Sequence, residues 1–198
     1  MGDMPDSLDD AAFHALNSIA GHWVAVDALF VFGATWLIFV MIALIVGYVA
    51  VAWNTTHFEG RIENAACAFY AAVIGYLAEE LIGFLWFRPR PFVALADAVR
   101  LIDKSPHLKS FPSGHATVAF ALAFAILMRN ERWGWALVAL AAFVGVSRVV
   151  VGVHYPGDIL GGIVVGLLAA LAAAPFKKAV EPYLDLFAVF RNHKRPSV

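Results

Sequence analysis

The sequence predicts an all-α fold, a polytopic membrane helical bundle of about five transmembrane helices behind an N-terminal amphipathic helix. Three observations carry that prediction. Of 198 residues, 62% are hydrophobic and only 15% charged, whereas roughly a quarter of a soluble domain is charged. Mean hydropathy is +0.76. Apolar runs also recur at the length, about 20 residues, that a helix needs to cross a hydrocarbon core about 30 Å thick. Composition narrows the partners as well. Fourteen basic against 15 acidic residues give a net charge of -1, and no basic tract precedes the extreme C-terminus, so the lipid bilayer is the expected partner and nucleic acid is not. The single cysteine, Cys67, lies among Ala65, Ala66 and Ala68; it reads as an inert packed thiol, without a disulfide framework or a multi-cysteine metal cluster.

The elements follow in chain order within one expected domain: an interfacial helix in 1–22, a transmembrane core over 27–176 and an amphipathic tail over 177–198. Asp3, Asp6, Asp9 and Asp10 make the N-terminus acidic where a secretory signal is basic, so the first apolar run is expected to stay in the mature chain. From Ser7 to Ile19, Leu8, Ala11, Ala12, Leu16 and Ile19 oppose Asp9, Asp10 and Asn17, the pattern of a helix lying at the membrane surface. The five spans run approximately from Asp27 to Trp53, Ile62 to Phe87, Ser113 to Met128, Trp133 to Val151 and Pro156 to Pro175. The third is short, which implies that its first turn starts inside a protein-lined site where irregular backbone is tolerated. Trp23, Trp53, Trp86, Trp133 and Trp135 fall near span ends, as an aromatic belt requires. Gly157, Gly161, Gly162 and Gly166 give the fifth span small-xxx-small spacing, a signal of close helix packing that leaves the oligomeric state open. The tail carries Lys177, Lys178, Val180, Tyr183, Leu184 and Phe187 and reads as a cationic amphipathic anchor.

Five spans place segments 88–112 and 148–155 on one side. The other side collects Arg61, Arg129, Arg132, Lys177, Lys178, Arg191, Lys194 and Arg195, eight of the 14 basic residues. The positive-inside rule then favours a cytoplasmic tail and an extracytoplasmic face for the two segments.

Those segments hold the polar residues that a membrane makes expensive, which marks them as functional candidates. Arg88-Pro89-Arg90-Pro91 ends the second span, Phe111-Pro112-Ser113-Gly114-His115 starts the third, and Ser147-Arg148, His154 and Asp158 bridge the fourth and fifth. Ser113 stands where a helix N-cap belongs, so the N–H groups of Gly114 and His115 would point at an anion, with Gly114 allowing close approach. Arg90 and Arg148 offer forked donors that stay charged, suited to a phosphoryl group gathering negative charge. His154 and Asp158 are four residues apart. On one face of a helix begun by Pro156, the carboxylate could hold one ring nitrogen and free the other as a nucleophile. His115 could protonate a leaving oxygen. Either histidine taken singly would read as an ordinary interfacial side chain; it is their spacing with the arginines that marks a site.

Arg90-Pro91, Pro112-Ser113-Gly114-His115 and Ser147-Arg148 with His154 and Asp158 together resemble the three-part signature of the type 2 phosphatidic-acid-phosphatase superfamily. The flanking Phe87-Arg88-Pro89-Arg90-Pro91-Phe92-Val93, Ser110-Phe111-Pro112-Ser113 and His154-Tyr155-Pro156 look like its bacitracin-resistance branch, the membrane undecaprenyl-diphosphate phosphatases. The resemblance implies a metal-independent phosphatase without cofactor. His154 would be the nucleophile, Asp158 its orienter and His115 the general acid, with Arg90, Ser113, Gly114 and Arg148 binding phosphate. It further implies an isoprenoid or glycerolipid phosphate substrate and a site on the outer face of the bacterial cytoplasmic membrane. In one place the sequence departs from the pattern: the broad signature has a lysine seven residues before the first arginine, and here that position is Gly83. Arg88 is the expected replacement. The flanking prolines hold this stretch extended, so residues i and i+2 face the same way and Arg88 would reach a distal phosphate or the pocket rim beside Arg90. Lys104 and Lys109 stand next in line.

Glu79 and Glu80 lie about two turns inside the second span; they are expected to pair with a core arginine or face a wet cavity, or one of them to align Arg90 or Arg148 or sense a substrate headgroup. Asp27 reads as an interfacial cap. His14, His22, His57, His107 and His193 form no zinc-ligand spacing, and His107, between Lys104 and Lys109, could touch a headgroup at the site's mouth. Other functions fit less well. A phosphatase acting on phosphatidic acid, phosphatidylglycerophosphate or lipid A would use the same chemistry with a different groove. A vanadium haloperoxidase shares the anion site but not a small membrane-embedded chain. A small membrane transporter or scaffold is the non-enzymatic alternative.

Overall fold

A computed structural model describes residues 8–53, 55–105, 109–176, 178 and 182–183. Its helices are α1 (Leu8–Asn17), α2 (Val24–Thr35), α3 (Leu37–Ala50), α4 (Phe58–Leu85), α5 (Pro91–Ala94), α6 (Gly114–Leu127), α7 (Glu131–Val150) and α8 (Pro156–Ala173), the last extended by a 3-10 turn at Ala174–Phe176. The fold is all-helical, as the sequence predicts. The expected tail helix over 177–198 and His107 lie outside the described residues, apart from positions 178, 182 and 183.

The bundle is built around α6. Ala116, Thr117, Ala119, Phe120, Leu122, Ala123 and Ile126 are all buried, and such residues point in every direction around the helix, so protein rather than lipid surrounds it. That is why 14 residues suffice. Around it stand α4, α7 and α8, each long and apolar enough to cross a membrane. Two glycines of α8 let α6 come close: a Cβ on Gly166 would fall 2.8 Å from the Thr117 carbonyl oxygen, and one on Gly162 would fall 2.9 Å from the Ala116 methyl. The small-residue spacing thus serves packing inside the chain. Leu77, Leu81, Phe84, Leu160, Val164 and Leu168 are exposed on the outside, the surface a bilayer would cover.

Two elements differ from expectation. The first span is broken: α2 and α3 meet at Trp36 with a bend of 58°. Just before the bend, the Thr35 hydroxyl donates to the Val31 carbonyl at 2.6 Å, a back-bond that competes with the helix ladder and bends it. The Ala34 carbonyl at the break accepts from Arg148 Nη1 at 3.1 Å, so the bend serves the site. The second difference is α1, which is more than a surface helix. Phe13 is completely buried against Val149 and Tyr155. Asn17, assigned by pattern to the polar face, is buried; its amide donates to the Val99 and Val150 carbonyls at 2.8 Å and its oxygen accepts from Val99 N–H. Asp9, Phe13 and Asn17, spaced by four, form the face of α1 that docks on the protein.

Candidate active site

The three polar segments converge at one end of the bundle. Arg90 caps α5, Ser113 and Gly114 start α6, Arg148 ends α7, and His154 lies in the turn before α8. Arg90, Gly114, His115, Arg148 and His154 line one cavity of about 570 Å³. Lys104 and Lys109 line it too.

His154 sits ahead of α8 rather than on it, because Pro156 opens the helix and Tyr155 is the N-cap. Asp158, at the third helical position, folds back to accept the Tyr155 N–H at 2.8 Å through Oδ2, one half of a capping box. The same oxygen accepts the Ser110 hydroxyl at 2.5 Å and stands 3.4 Å from His154 Nδ1. That spacing is an electrostatic contact, since Nδ1 has no aligned hydrogen-bond partner; catalytic pairs of this kind often tighten only with ligand bound. The expected four-residue relation therefore holds in space, with the histidine outside the helix. Burial is the main cause that pushes the His154 imidazole down to about 3, with Arg148 and Arg90 adding to it and Asp158 opposing. Burial thus favours the neutral ring, and with its proton on Nδ1 the other nitrogen carries the lone pair.

That other nitrogen, Nε2, lies 3.4 Å from Arg90 Nη1, which also donates to the Val153 carbonyl at 3.0 Å. Arg148 is 1% exposed. Its Nε and the Ser113 Oγ are buried without a hydrogen-bond partner among the described residues. Unpaired buried donors are costly and uncommon in native proteins, and a phosphate oxygen would satisfy these. Ser113 adopts the extended conformation of an N-cap, φ -74 and ψ 112, without a side-chain cap bond, so its hydroxyl is not spent on α6.

Arg88 is elsewhere. Nη1 donates to Asp158 Oδ1 at 2.8 Å, Nη2 donates to Asp9 Oδ2 at 2.7 Å, and the guanidinium lies 3.9 Å over the Tyr155 ring. It stands behind the His154–Asp158 pair and does not share the cavity with Arg90, which corrects its expected place on a distal phosphate. The reason is local: Arg90, at φ -74 and ψ 156, follows polyproline-like geometry that repeats every three residues rather than two, so Arg88 and Arg90 do not face one way and Arg88 meets the two carboxylates instead. Burial pulls the Arg88 guanidinium down, but its two carboxylates outweigh that and hold it above the ordinary arginine value.

The space at Gly83 is filled by Lys109. A Cβ at that position would overlap the Lys109 chain at Cδ and fall 2.7 Å from Nζ. The ammonium donates to the Glu79 carbonyl and to Glu79 Oε2, both at 2.7 Å, and pairs with Glu80 Oε2 at 3.2 Å. Glu79 thus pairs with a lysine rather than an arginine, while both glutamates face the cavity as the alternative expectation had it; Glu79 Oε1 closely approaches Gly114, where a Cβ would fall 2.6 Å from it. Lys104 is pushed down by burial, then by Arg148 and Arg90, a cost that an anion between them would offset. Ser110, Asp9 and Lys109 are the site residues that sequence reasoning underweighted. The stripe Asp9–Phe13–Asn17 was a readable signal for one of them; the partners of Ser110 and Lys109 lie 48 and 30 residues away.

Buried cations, a helix start and a histidine around one cavity in a helical bundle are an arrangement suited to a phosphoryl group. The chain belongs to the PAP2 superfamily, whose profile matches residues 64–181, and so is a membrane phosphatase. It is 34% identical over 174 residues to undecaprenyl-diphosphatase BcrC of Bacillus subtilis, covering 88% of this chain and 86% of that protein. It is 28% identical over 193 residues to the bacitracin transport permease protein BcrC of Bacillus licheniformis, covering 96% and 92%. The fold matches the crystal structure of Aquifex aeolicus LpxE with a TM-score of 0.64 at 24% identity, over 87% of this chain and 98% of the other. A PAP2-type phosphatidylglycerolphosphate phosphatase from Bacillus subtilis gives 0.61 at 23% identity, over 87% and 85%.

Proposed function

We propose that the protein hydrolyses undecaprenyl diphosphate to undecaprenyl phosphate and inorganic phosphate, at the outer face of the bacterial cytoplasmic membrane. The observation that carries this reading is the cavity itself. Arg90, Arg148 and Lys104 line it with His154, Lys109 lines it while paired to Glu79 and Glu80, and the walls continue into the apolar Ile38, Phe39, Ile42 and Val118. A charged headgroup with two phosphates and a long hydrocarbon tail matches both halves. The relative of Bacillus subtilis named for that activity supports it, as does the excess of basic residues away from the site.

In the mechanism, His154 Nε2 attacks the terminal phosphorus as the bond to the bridging oxygen breaks. The lipid monophosphate leaves with a proton from His115, and the phosphoryl group stays on His154. Water then attacks the phosphohistidine, giving up a proton to His115 and releasing inorganic phosphate. Asp158 stabilises the positive imidazole, while Arg90, Arg148, Ser113 Oγ and the N–H groups at the start of α6 hold the equatorial oxygens. The purified protein should release phosphate from a long-chain isoprenyl diphosphate faster than from phosphatidic acid, phosphatidylglycerophosphate or lipid A. A preference for any of these would redirect the substrate assignment, and no release from the whole panel by folded protein would favour a transporter or scaffold.

A further inference from the structure

Asp158 makes contacts on both of its oxygens. Oδ2 serves the Tyr155 N–H, the Ser110 hydroxyl and the His154 ring, while Oδ1 is held by Arg88. A lone arginine there would neutralise the carboxylate and could rotate to grip both oxygens, drawing Oδ2 off the histidine. Arg88 cannot, because its other fork is held at 2.7 Å by Asp9 and its face lies on Tyr155. With two carboxylates to one guanidinium, the group Asp9–Arg88–Asp158 keeps a net negative charge beside His154. Asp9 is itself fixed, since its Oδ1 accepts the Gly157 N–H at 2.7 Å in the first turn of α8. Phe13 and Asn17, one and two turns on, lock α1 to Tyr155, Val150 and Val99.

We propose that Asp9 is a positioning residue for the nucleophile: by sharing Arg88 with Asp158, the docked N-terminal helix keeps the Asp158 carboxylate turned and charged toward His154. The proposal rests on His154 as nucleophile. It gives α1 a role in the chemistry beyond lying on the membrane. Asp9 touches neither substrate nor the reacting atoms, so its effect falls on the step in which positive charge forms on the imidazole, not on binding.

The test uses the full chain in detergent with a long-chain isoprenyl diphosphate labelled at its terminal phosphate. Asp9→Asn should slow phosphorylation of His154, and kcat if that step limits, by roughly tenfold, the size expected for one lost charge-assisted hydrogen bond, with KM within about twofold of the parent. Arg88→Ala should slow the same step, and the double variant should be no slower than Arg88→Ala alone, because both act through one carboxylate. Additive losses, or a raised KM with an unchanged phosphorylation rate, would overturn the proposal. Gly157→Ala provides a second route should Asp9→Asn fold poorly. Its methyl would fall 2.8 Å from Asp9 Oδ2 and displace the carboxylate, while alanine suits a helix better than glycine. Slower phosphorylation with an undiminished melting temperature supports the proposal; an unchanged rate overturns it. A His154→Ala chain that still turns over would instead remove the nucleophile assignment, whatever Asp9 does.

Discussion

At Arg88 and Lys109 the geometry reverses an expectation based on chain proximity. Arg88 is two residues from Arg90, yet it bonds to Asp158 and Asp9, whereas Lys109, 26 residues from Gly83, occupies that glycine's space in the cavity. Arg88→Ala is therefore expected to lower turnover of diphosphate and monophosphate lipids in the same proportion, since in the proposed mechanism it acts through Asp158 on the nucleophile. Lys109→Ala should lower activity on the diphosphate by about 10- to 100-fold, as for a lost charge-assisted contact, and on a monophosphate several-fold less. Steady-state kinetics on matched isoprenyl mono- and diphosphates checks both: a ratio that moves with Arg88 and not with Lys109 would reverse the assignment. His154 adds a pH dependence. Unfolded, it takes up a proton near 6.5; folded, it resists protonation until about 3. Between those values the unfolded state binds more protons, so this residue contributes a loss of stability as pH falls through that window. Melting temperatures at pH 7 and 4.5 should show a smaller acid loss for His154→Gln than for the parent chain.

Helices were legible in the sequence wherever one physical rule fixed them. Apolar length placed α4, α7 and α8, and the short third run pointed to a first turn inside a protein-lined site, where Gly114 and His115 line the cavity; that protein surrounds the rest of α6 was not legible from its length. Proline placed the start of α8. What stayed hidden depended on distant partners. The break at Trp36 is apolar on both sides and so looks continuous by hydropathy; its purpose becomes visible only with Arg148 on the Ala34 carbonyl. In α1, Asn17 passed for a surface residue because hydrophobic patterning cannot distinguish a solvated amide from a buried one with satisfied hydrogen bonds. The α6–α8 contact gives an element-scale prediction. Gly166→Val would drive a branched side chain into the Thr117 carbonyl and Ala121 N–H, 2.8 and 2.9 Å from the first added carbon, and should cost about 1–3 kcal/mol or more of stability. Thermal unfolding in detergent measures it; an unchanged midpoint would mean that the two helices can separate without loss.

For the molecule as a whole, the bundle gathers charge at one end of α6, where the three motif segments meet, while the far end is tied by aromatic and basic residues such as Tyr48, Arg61 and Trp133. If the site faces outward, a cysteine at Ser105 should react with impermeant reagents in whole cells, and a reporter fused after Val198 should be cytoplasmic; the opposite labelling would invert the topology. In the proposed mechanism the cavity's cations do the work that a metal does in other phosphatases, so EDTA should leave activity within about twofold of its untreated value. Loss in EDTA with recovery in Mg²⁺ would contradict that view. The most direct test of the central claim is rapid-quench labelling with isoprenyl diphosphate carrying terminal radioactive phosphate. An acid-labile, base-stable phosphoenzyme is expected to form before phosphate release, to map to His154 and to disappear in His154→Ala along with turnover. Label on any other residue, or full turnover by His154→Ala, would contradict the claim.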